Sequence, residues 1–359
     1  MLAACCTAAQ LRGRETQAEY GNLAFTGDRR DPVPRDRQAR ENRKVAVPGT
    51  PRRGERFAGA KTEHAGHEAG SGPQPLPRPS PNRSPLPRDP VALAPSSGIW
   101  PIVDDGLAAL EVELSTGMRA ALESQLRLML AWNEHVNLTA LRTAEQVARG
   151  HVLDSLSAVP LVRRLFAQQR RPASGGARLL DLGSGAGYPG LPLAVALPAG
   201  ECALVDSVGK KAAFLEVAAS AAGTALREHA EAAPAFAALG KRAEQLAADP
   251  AQRGAWDIVT ARAVGPLAEV VELGLPLLRV GGHVVAWKRE PHSEGLREEI
   301  NACRRLLQAA GGEHPFVAAP DREGRAGLAD HRLVVVRKLR PTPERFPRSP
   351  AERRRSALR

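Results

Sequence analysis

The chain has 359 residues and carries a formal net charge of +11 at pH 7. No run approaches the roughly 20 consecutive apolar residues of a membrane-spanning helix, so we expect no membrane segment. Lys plus Arg nearly cancel Asp plus Glu between residues 101 and 340. The basic excess therefore lies near the two ends, where it favours either a polyanionic partner such as RNA or a solvated surface.

The first 97 residues form an arm with no sustained apolar period. The arm is rich in Arg, Pro, Gly and Ser, most clearly between Pro73 and Pro90. Such a sequence buries too little apolar surface to offset the entropy lost on ordering. We therefore expect residues 1–97 to be disordered, and we expect residues 341–359 to form a separate basic tail.

Residues 98–172 predict a small helical cap ahead of a larger domain. Ser115 is a residue type that caps helix N-termini, and an apolar helical period follows it. His151 and Asp154 stand three residues apart on a later helical stretch, which favours a structural pair. The predicted helices cover about residues 106–112, 115–133 and 143–161.

Residues 173–340 alternate short apolar runs with helical periods. This alternation predicts an α/β fold with a doubly wound, mainly parallel sheet and helices on both faces. We expect the last strand to run antiparallel at the edge of the sheet. The seven predicted strands are residues 178–182, 202–206, 236–239, 256–261, 283–288, 315–317 and 331–338.

A glycine turn follows the first predicted strand and precedes a helix. Gly183, Gly185 and Gly187 allow positive φ and a close approach of backbone N–H groups to a ligand. Gly185, Gly187 and Gly190 also satisfy G-x-G-x-x-G, so a nicotinamide or flavin dinucleotide is one interpretation. That interpretation needs the strand to run directly into Gly185, whereas the apolar run stops at Leu182.

Two strand-end acids favour S-adenosylmethionine (SAM) as the cofactor. Asp181 opens the pattern D-x-G-x-G-x-G, in which the carboxylate holds the methionine ammonium directly or through water. Asp206 ends the second strand about 20 residues beyond the turn, the spacing at which cofactor folds bind ribose hydroxyls. A dinucleotide site and a purely structural glycine turn stay open as alternatives.

Further candidates follow the later strands. Glu244 is either an adenine contact or an ordinary charge at a helix start. Arg262 ends the fourth strand and is either a site residue or a solvated charge. Trp287 and Lys288 end the fifth strand, where they either stack on a base and meet phosphate or are a core Trp and a solvated Lys.

The cysteines show no metal-ligand or redox spacing. Cys202 falls within an apolar strand, where a thiol simply packs, and the others are Cys5, Cys6 and Cys303. We therefore expect no metal site and a reducing compartment, the cytoplasm.

Five strings in this order carry a resemblance over about residues 110–359. They begin at Trp132, His151, Leu180, Val205 and Thr260 and read WNEHVNLT, HVLDSL, LDLGSGAGYPGLP, VDSVGKKAAFL and TARA. Together they resemble the small-subunit ribosomal RNA guanine-N7 methyltransferase family, RsmG, also called glucose-inhibited division protein B. The arm is foreign to the usual member of this family.

The resemblance implies a Rossmann-like class I SAM-dependent methyltransferase. It implies a cytoplasmic enzyme that transfers a methyl group to N7 of guanine 527 in 16S ribosomal RNA. We expect a monomer whose partner is 16S RNA or a small-subunit particle. The resemblance also implies cofactor contacts at Gly183, Tyr188, Ala243, Glu244 and Arg262. A dinucleotide-dependent oxidoreductase and an inactive RNA-binding protein of the same fold are the alternatives.

The expected reaction needs few catalytic groups from the protein. Guanine N7 already carries a lone pair on the major-groove edge of the base. We therefore expect no catalytic general base, and we expect positioning of the two reactants to supply the rate enhancement.

Overall fold

The computed structural model of the protein describes residues 85–168, 176–290 and 293–355. Most of the predicted disordered arm, residues 1–84, lies outside the described residues. What is described contains a helical cap followed by an α/β domain, as the alternation of apolar runs and helical periods predicts.

The sheet is mixed. Its first five strands in chain order are parallel to one another, and the last two extend one side of the sheet by antiparallel pairing. Its strands are β1 (Ala177–Leu182), β2 (Ala199–Val205), β3 (Ala235–Leu239), β4 (Trp256–Arg262), β5 (Leu278–Arg289), β6 (Phe316–Ala318) and β7 (His331–Arg337). They lie in the order β3-β2-β1-β4-β5-β7-β6. The order reverses between β1 and β4, and open α/β sheets bind ligands beyond the carboxyl ends of the strands at such a switch point.

The helices of the described residues divide between the cap, the two faces of the sheet and the C-terminus. In chain order they are α1 (Trp100–Leu110), α2 (Thr116–Asn133), α3 (Ala144–Val147), α4 (Asp154–Leu156), α5 (Val159–Ala167), α6 (Gly190–Ala196), α7 (Gly209–Glu228), α8 (Ala243–Ala248), α9 (Leu267–Gly274), α10 (Ser293–Ala302), α11 (Arg304–Ala310) and α12 (Pro350–Arg355). A π-helical segment, Ala148–Leu153, joins α3 to α4. None of these described helices is long and apolar enough to cross a membrane.

The longest cap helix, α2, connects the cap to the sheet domain. Ser115 Oγ accepts a hydrogen bond from the Met118 backbone N–H at 3.1 Å, which confirms the predicted N-cap. The apolar face of α2 is buried and packs against α7. Trp132 meets Phe214 of α7 edge to face, with ring centroids 5.5 Å apart.

Both faces of the sheet are buried, which explains why the central strands are continuously apolar. Successive side chains of a strand point to opposite faces. Leu179 accordingly belongs to the core cluster shared with the cap and α7, whereas its neighbour Leu180 belongs to the cluster beneath α9, α10 and α11.

The predicted fold class and the seven strands are confirmed, and one position in the sheet is corrected. β7 is antiparallel as predicted, but it lies between β5 and β6 rather than at the edge. The edge belongs to β6, which has only three residues. A short edge strand presents few unpaired backbone groups to other chains.

Residues 85–97 correct the expected extent of the arm, because they pack against α2. Trp132 Nε1 donates to the Pro87 carbonyl at 2.7 Å. The Ser96 backbone N–H donates to Glu123 Oε1 at 3.0 Å. These hydrogen-bonding groups are α2 side chains, and Leu86 and Leu93 of the segment also pack against the core.

The C-terminal strap, defined as residues 342–355, corrects the expectation of a separate basic tail. Phe346 is buried in the same cluster as α9. Arg348 Nη2 pairs with Glu272 Oε2 of α9 at 2.6 Å, and Glu272 is only 2% exposed. Residues 356–359 lie outside the described residues.

The packing of residues 85–97 predicts a difference between two shortened chains. A chain that begins at residue 98 should have a free energy of unfolding about 2–4 kcal/mol lower than one that begins at residue 85, because several hydrogen bonds of about 1 kcal/mol each are lost. Urea unfolding measures both.

Trp132→Phe supplies the matched control. It should cost about 1 kcal/mol more in the longer chain than in the shorter one, because only the longer chain contains the Pro87 carbonyl that accepts from Trp132. Equal unfolding free energies for the two chains would contradict this packing.

Candidate functional site

The glycine turn lies at the carboxyl end of β1, beside the switch point of the sheet. Gly183, Gly185 and Gly187 have φ values of 69°, 57° and 87°, a region that L residues with side chains adopt at a cost. A Cβ at Gly185 would meet only the Gly183 carbonyl, at 3.8 Å. The backbone of the turn is therefore open at Gly185, as a loop that receives a ligand must be.

Asp181 lies directly beneath the turn and is fully buried. Its Oδ1 accepts from Thr260 Oγ1 of β4 at 2.6 Å, and its Oδ2 accepts from the Gly190 backbone N–H of α6 at 3.1 Å. Burial raises the pKa of Asp181 to about 6, against the opposing effect of these hydrogen bonds. The carboxylate thus joins β1, β4 and α6 and is charged at neutral pH.

Gly190 is required by the same close approach. A Cβ at this position would collide with the Asp181 side chain. This explains why a glycine begins α6, where Pro189 precedes it in the turn. The third glycine of the apparent G-x-G-x-x-G pattern therefore has a packing role that does not depend on which cofactor binds.

Asp206 follows β2 and holds the turn from the other side. Its Oδ2 accepts from the Gly185 backbone N–H at 3.1 Å, and its Oδ1 accepts from the Val208 backbone N–H at 2.8 Å. The structure thus brings Asp181, Gly185 and Asp206 together at one edge of the sheet, as the sequence predicted.

Tyr188 lies between the cap and the end of β4. Its ring stacks on His151 with centroids 4.5 Å apart and planes 4° apart, and the Arg262 guanidinium lies 5.6 Å from its centroid. The buried Tyr188 hydroxyl has no hydrogen-bond partner among the described residues. A bound group at this position would provide the missing partner.

The Arg262 guanidinium is hydrogen-bonded to three residues of the cap. Nη1 donates to the Gly150 carbonyl and to Asp154 Oδ2, both at 2.8 Å, and Nη2 donates to His151 Nδ1 at 2.9 Å. An arginine is always a donor, so His151 Nδ1 is unprotonated. The remaining ring proton lies on Nε2 and is donated to Thr139 Oγ1 at 2.7 Å.

This hydrogen-bonding explains the protonation state of His151. Burial and the nearby charge of Arg262 lower the pKa of His151 to about 3, and Asp154 opposes them only in part. The predicted structural role of His151 and Asp154 is supported, although Arg262 joins the two residues. The neutral imidazole has both nitrogens occupied, so it is not available as a base.

Asp154 extends the same network to β5 and β7. Its Oδ1 accepts from His331 Nδ1 at 2.7 Å, and its backbone carbonyl accepts from Trp287 Nε1 at 2.9 Å. We refer to Asp154, His151, Arg262, His331 and Trp287 as the cap network. His331 could not be anticipated, because its partner lies 177 residues away in the chain.

Gln125 is a second residue that the sequence analysis missed. It projects from α2 toward the glycine turn, where Nε2 donates to the Ala186 carbonyl at 2.9 Å. Its Oε1 has no partner among the described residues, and the residue is fully buried. A polar residue within the apolar period of α2 was the available signal.

Trp287 and Lys288, the expected RNA-binding residues, point into the fold. The Trp287 ring is 7% exposed, which leaves little surface for a base to stack on. Lys288 Nζ pairs with Glu299 Oε1 at 2.7 Å and donates to the Gly265 carbonyl at 3.2 Å. These contacts favour the core-Trp interpretation and make Lys288 a link between β5 and α10.

The expected adenine-side pair, Ala243 and Glu244, begins α8 just beyond β3. The Asp206 backbone N–H donates to the Leu239 carbonyl at 3.2 Å, so this end of β3 lies beside the turn. Glu244 Oε1 accepts from Arg353 Nη2 at 2.5 Å. Among the described residues, no group of His, Cys, Asp and Glu side chains is arranged to hold a metal ion.

The neutral His151 predicts an acid-dependent loss of stability. A folded-state pKa below the unfolded value of about 6.5 means that only the unfolded chain takes up this proton as the pH falls toward 3. His151→Gln should therefore lose less stability than the wild type between pH 6.5 and 4, by up to about 1.4 kcal/mol per pH unit.

Urea unfolding at a series of pH values tests this, with His135→Gln as the control because His135 is exposed. The control should follow the wild-type profile. A His151→Gln profile as steep as that of the wild type would show that His151 is not held neutral.

The comparisons with known proteins agree with this geometry. Residues 118–325 match the family model described as rRNA small subunit methyltransferase G. Three relatives named ribosomal RNA small subunit methyltransferase G are each 38% identical: those of Chloroflexus aggregans (66% of this chain and 89% of the relative), Roseiflexus castenholzii (62% and 86%) and Deinococcus radiodurans (62% and 79%). The chain belongs to the rRNA small subunit methyltransferase G family.

Proposed function

We propose that the protein transfers a methyl group from SAM to N7 of a guanine, position 527, in 16S ribosomal RNA. Membership of the family supports an enzyme that methylates small-subunit ribosomal RNA. The observation that supports SAM as the cofactor is the open glycine turn at the switch point, with Asp181 beneath it and Asp206 beside it.

The residues at this edge fit SAM by charge and position. Asp181 would hold the methionine ammonium, and Asp206, which has lone pairs left after two backbone hydrogen bonds, would accept from the ribose hydroxyls. Ala243 and Glu244 would meet the adenine. Gly185 would let the ligand approach the backbone, whereas the space that a Cβ at Gly183 would take is filled by Val264. The unpartnered Tyr188 hydroxyl offers one further contact.

The cofactor supplies an electrophilic methyl group, and the protein has little to add beyond placement. Guanine N7 needs no deprotonation. The nearby histidine is neutral and hydrogen-bonded at both nitrogens. Placement of reactants alone contributes an effective molarity on the order of 10⁵–10⁸ M in favourable cases, so we assign no general base.

A dinucleotide-dependent oxidoreductase is the second candidate, because Gly185, Gly187 and Gly190 satisfy its motif. The end of β1 at Leu182 weighs against it, because that motif needs the strand to run directly into Gly185. Calorimetry separates the two: we expect binding of SAM and none of NAD.

We also propose a cytoplasmic monomer, with free 16S RNA or an assembling small subunit as the substrate. All the expected cofactor residues come from one chain, so a second copy is not needed to complete that half of the site. The location follows from the substrate.

The proposed activity is tested with radiolabelled SAM and small subunits from a strain that lacks the enzyme. The expected product is one N7-methylguanine at position 527, mapped by cleavage at that base followed by primer extension. Methylation at another atom or position contradicts the proposed specificity. Binding of SAM without methyl transfer to either RNA substrate favours the inactive RNA-binding alternative.

Asp181→Asn should separate cofactor binding from stability. Removal of a buried charge whose pKa is raised should leave the variant at least as stable as the wild type at pH 8. Loss of the carboxylate should weaken SAM binding about tenfold or more.

The pH dependence gives a second readout for this residue. Wild-type affinity for SAM should fall as the pH drops through about 6, where Asp181 takes up a proton, and the affinity of the Asn variant should not. Calorimetry between pH 5 and 8 measures both. Parallel profiles would remove Asp181 from the site.

Gly185→Ala should block the approach of the cofactor to the turn. Its matched control is Gly254→Ala, because Gly254 has a similar φ of 66° and open space for a Cβ but precedes β4 at the opposite edge of the sheet. Both variants should lose about 1–2 kcal/mol of stability. Only Gly185→Ala should lose SAM affinity in calorimetry, and equal affinities would place the cofactor elsewhere.

A further inference from the structure

The C-terminal strap is fixed to the sheet domain before it reaches α12. Arg253 donates to the carbonyls of Thr342 (3.1 Å), Pro343 (3.0 Å) and Phe346 (3.0 Å). Arg348 then pairs with Glu272 through two nitrogens, at 2.6 and 2.8 Å. A segment held by this many hydrogen bonds is part of the fold rather than a solvated basic tail.

The end of the strap brings Arg353 to the side of the candidate cofactor site. Arg353 Nη2 donates to Glu244 Oε1 at 2.5 Å and lies 3.5 Å from Glu269 Oε1. Its Nη1 donates to the Arg348 carbonyl at 2.6 Å. The Arg353 side chain is only 12% exposed, so the guanidinium is fixed from two sides and shielded from solvent.

The contact leaves part of Glu244 available. Arg353 takes one acceptor position on Oε1, and an ionised carboxylate offers about four such positions. Although partial burial works in the opposite direction, the hydrogen bond from Arg353 holds the pKa of Glu244 below its usual value. Glu244 is therefore a charged acceptor whose orientation is set by a residue 109 positions away in the chain.

We propose that Arg353 is a positioning residue for the cofactor, which holds the Glu244 carboxylate in place for the nucleoside end of SAM. The inference rests on the proposed function, because it assigns Glu244 to the SAM site. It gives the C-terminal strap a role in cofactor binding that its basic composition, which suggests RNA, does not indicate.

The test measures SAM binding to the full chain by calorimetry. Arg353→Gln should weaken binding about tenfold, the effect of losing one hydrogen bond to a charged group. Arg353→Lys keeps the charge and should recover most of the affinity. Arg354→Gln, a neighbouring exposed arginine of α12, should bind SAM as the wild type does.

A double-mutant cycle separates positioning from a general effect on the fold. If Arg353 acts through Glu244, Arg353→Gln should weaken binding in the wild-type background and have no further effect in a Glu244→Gln background. A residue that only stabilises the strap would weaken binding by the same factor in both backgrounds.

Two outcomes overturn the inference while the proposed function stands. One is unchanged SAM affinity in Arg353→Gln, and the other is an equal loss of affinity in both backgrounds of the cycle. Failure of the wild-type chain to bind SAM at all would overturn the proposed function and the role of Arg353 with it.

Discussion

The contact between Arg262 and Asp154 is the interaction on which the arrangement of the site depends. It joins the end of β4 to the cap, with side chains only 17% and 8% exposed. A buried ion pair repays its desolvation only where other hydrogen bonds satisfy the remaining donors and acceptors. The Gly150 carbonyl and His151 Nδ1 accept further hydrogen bonds from the Arg262 guanidinium, and His331 donates to the second oxygen of the Asp154 carboxylate. Tyr188 stacks on His151, so the glycine turn, β4 and the cap hold their positions relative to one another through this one cluster.

The two sides of the cofactor edge are built differently. On the β1 side, three residues of the turn adopt positive φ, and the buried carboxylates of Asp181 and Asp206 fix the backbone there by accepting its N–H groups. On the β3 side, the proposed acceptor is the Glu244 side chain, which lies on a short helix and is held by the C-terminal strap. The site therefore depends on chain segments that lie far apart in the sequence. The basic residues of the strap described here serve this packing, since Arg348 and Arg353 are paired with Glu272 and Glu244.

The fold, and the placement of the candidate site residues beside β1, could be predicted because their signals are local. Alternating periods define the strands, and Asp181, Gly185 and Asp206 lie in a continuous strand–turn–helix–strand unit. The cap network and the strap could not be predicted, because their contacts join residues far apart in the sequence, such as Arg262 with Asp154, 108 positions apart, and Arg348 with Glu272, 76 positions apart. Composition also misled at both ends of the domain. Proline-rich residues 85–97 and arginine-rich residues 342–355 resemble solvated segments, yet other elements supply the groups that bind them.

The central claim is that the carboxyl edge of β1, β2 and β3 holds SAM for methyl transfer to ribosomal RNA. A crystal structure of the full chain with S-adenosylhomocysteine tests it most directly. We expect the ribose hydroxyls on Asp206, the ammonium near Asp181, the adenine beside Ala243 and Glu244, and the Arg353 contact intact. A ligand bound away from this edge, or with its ribose remote from Asp206, would overturn this assignment of the site.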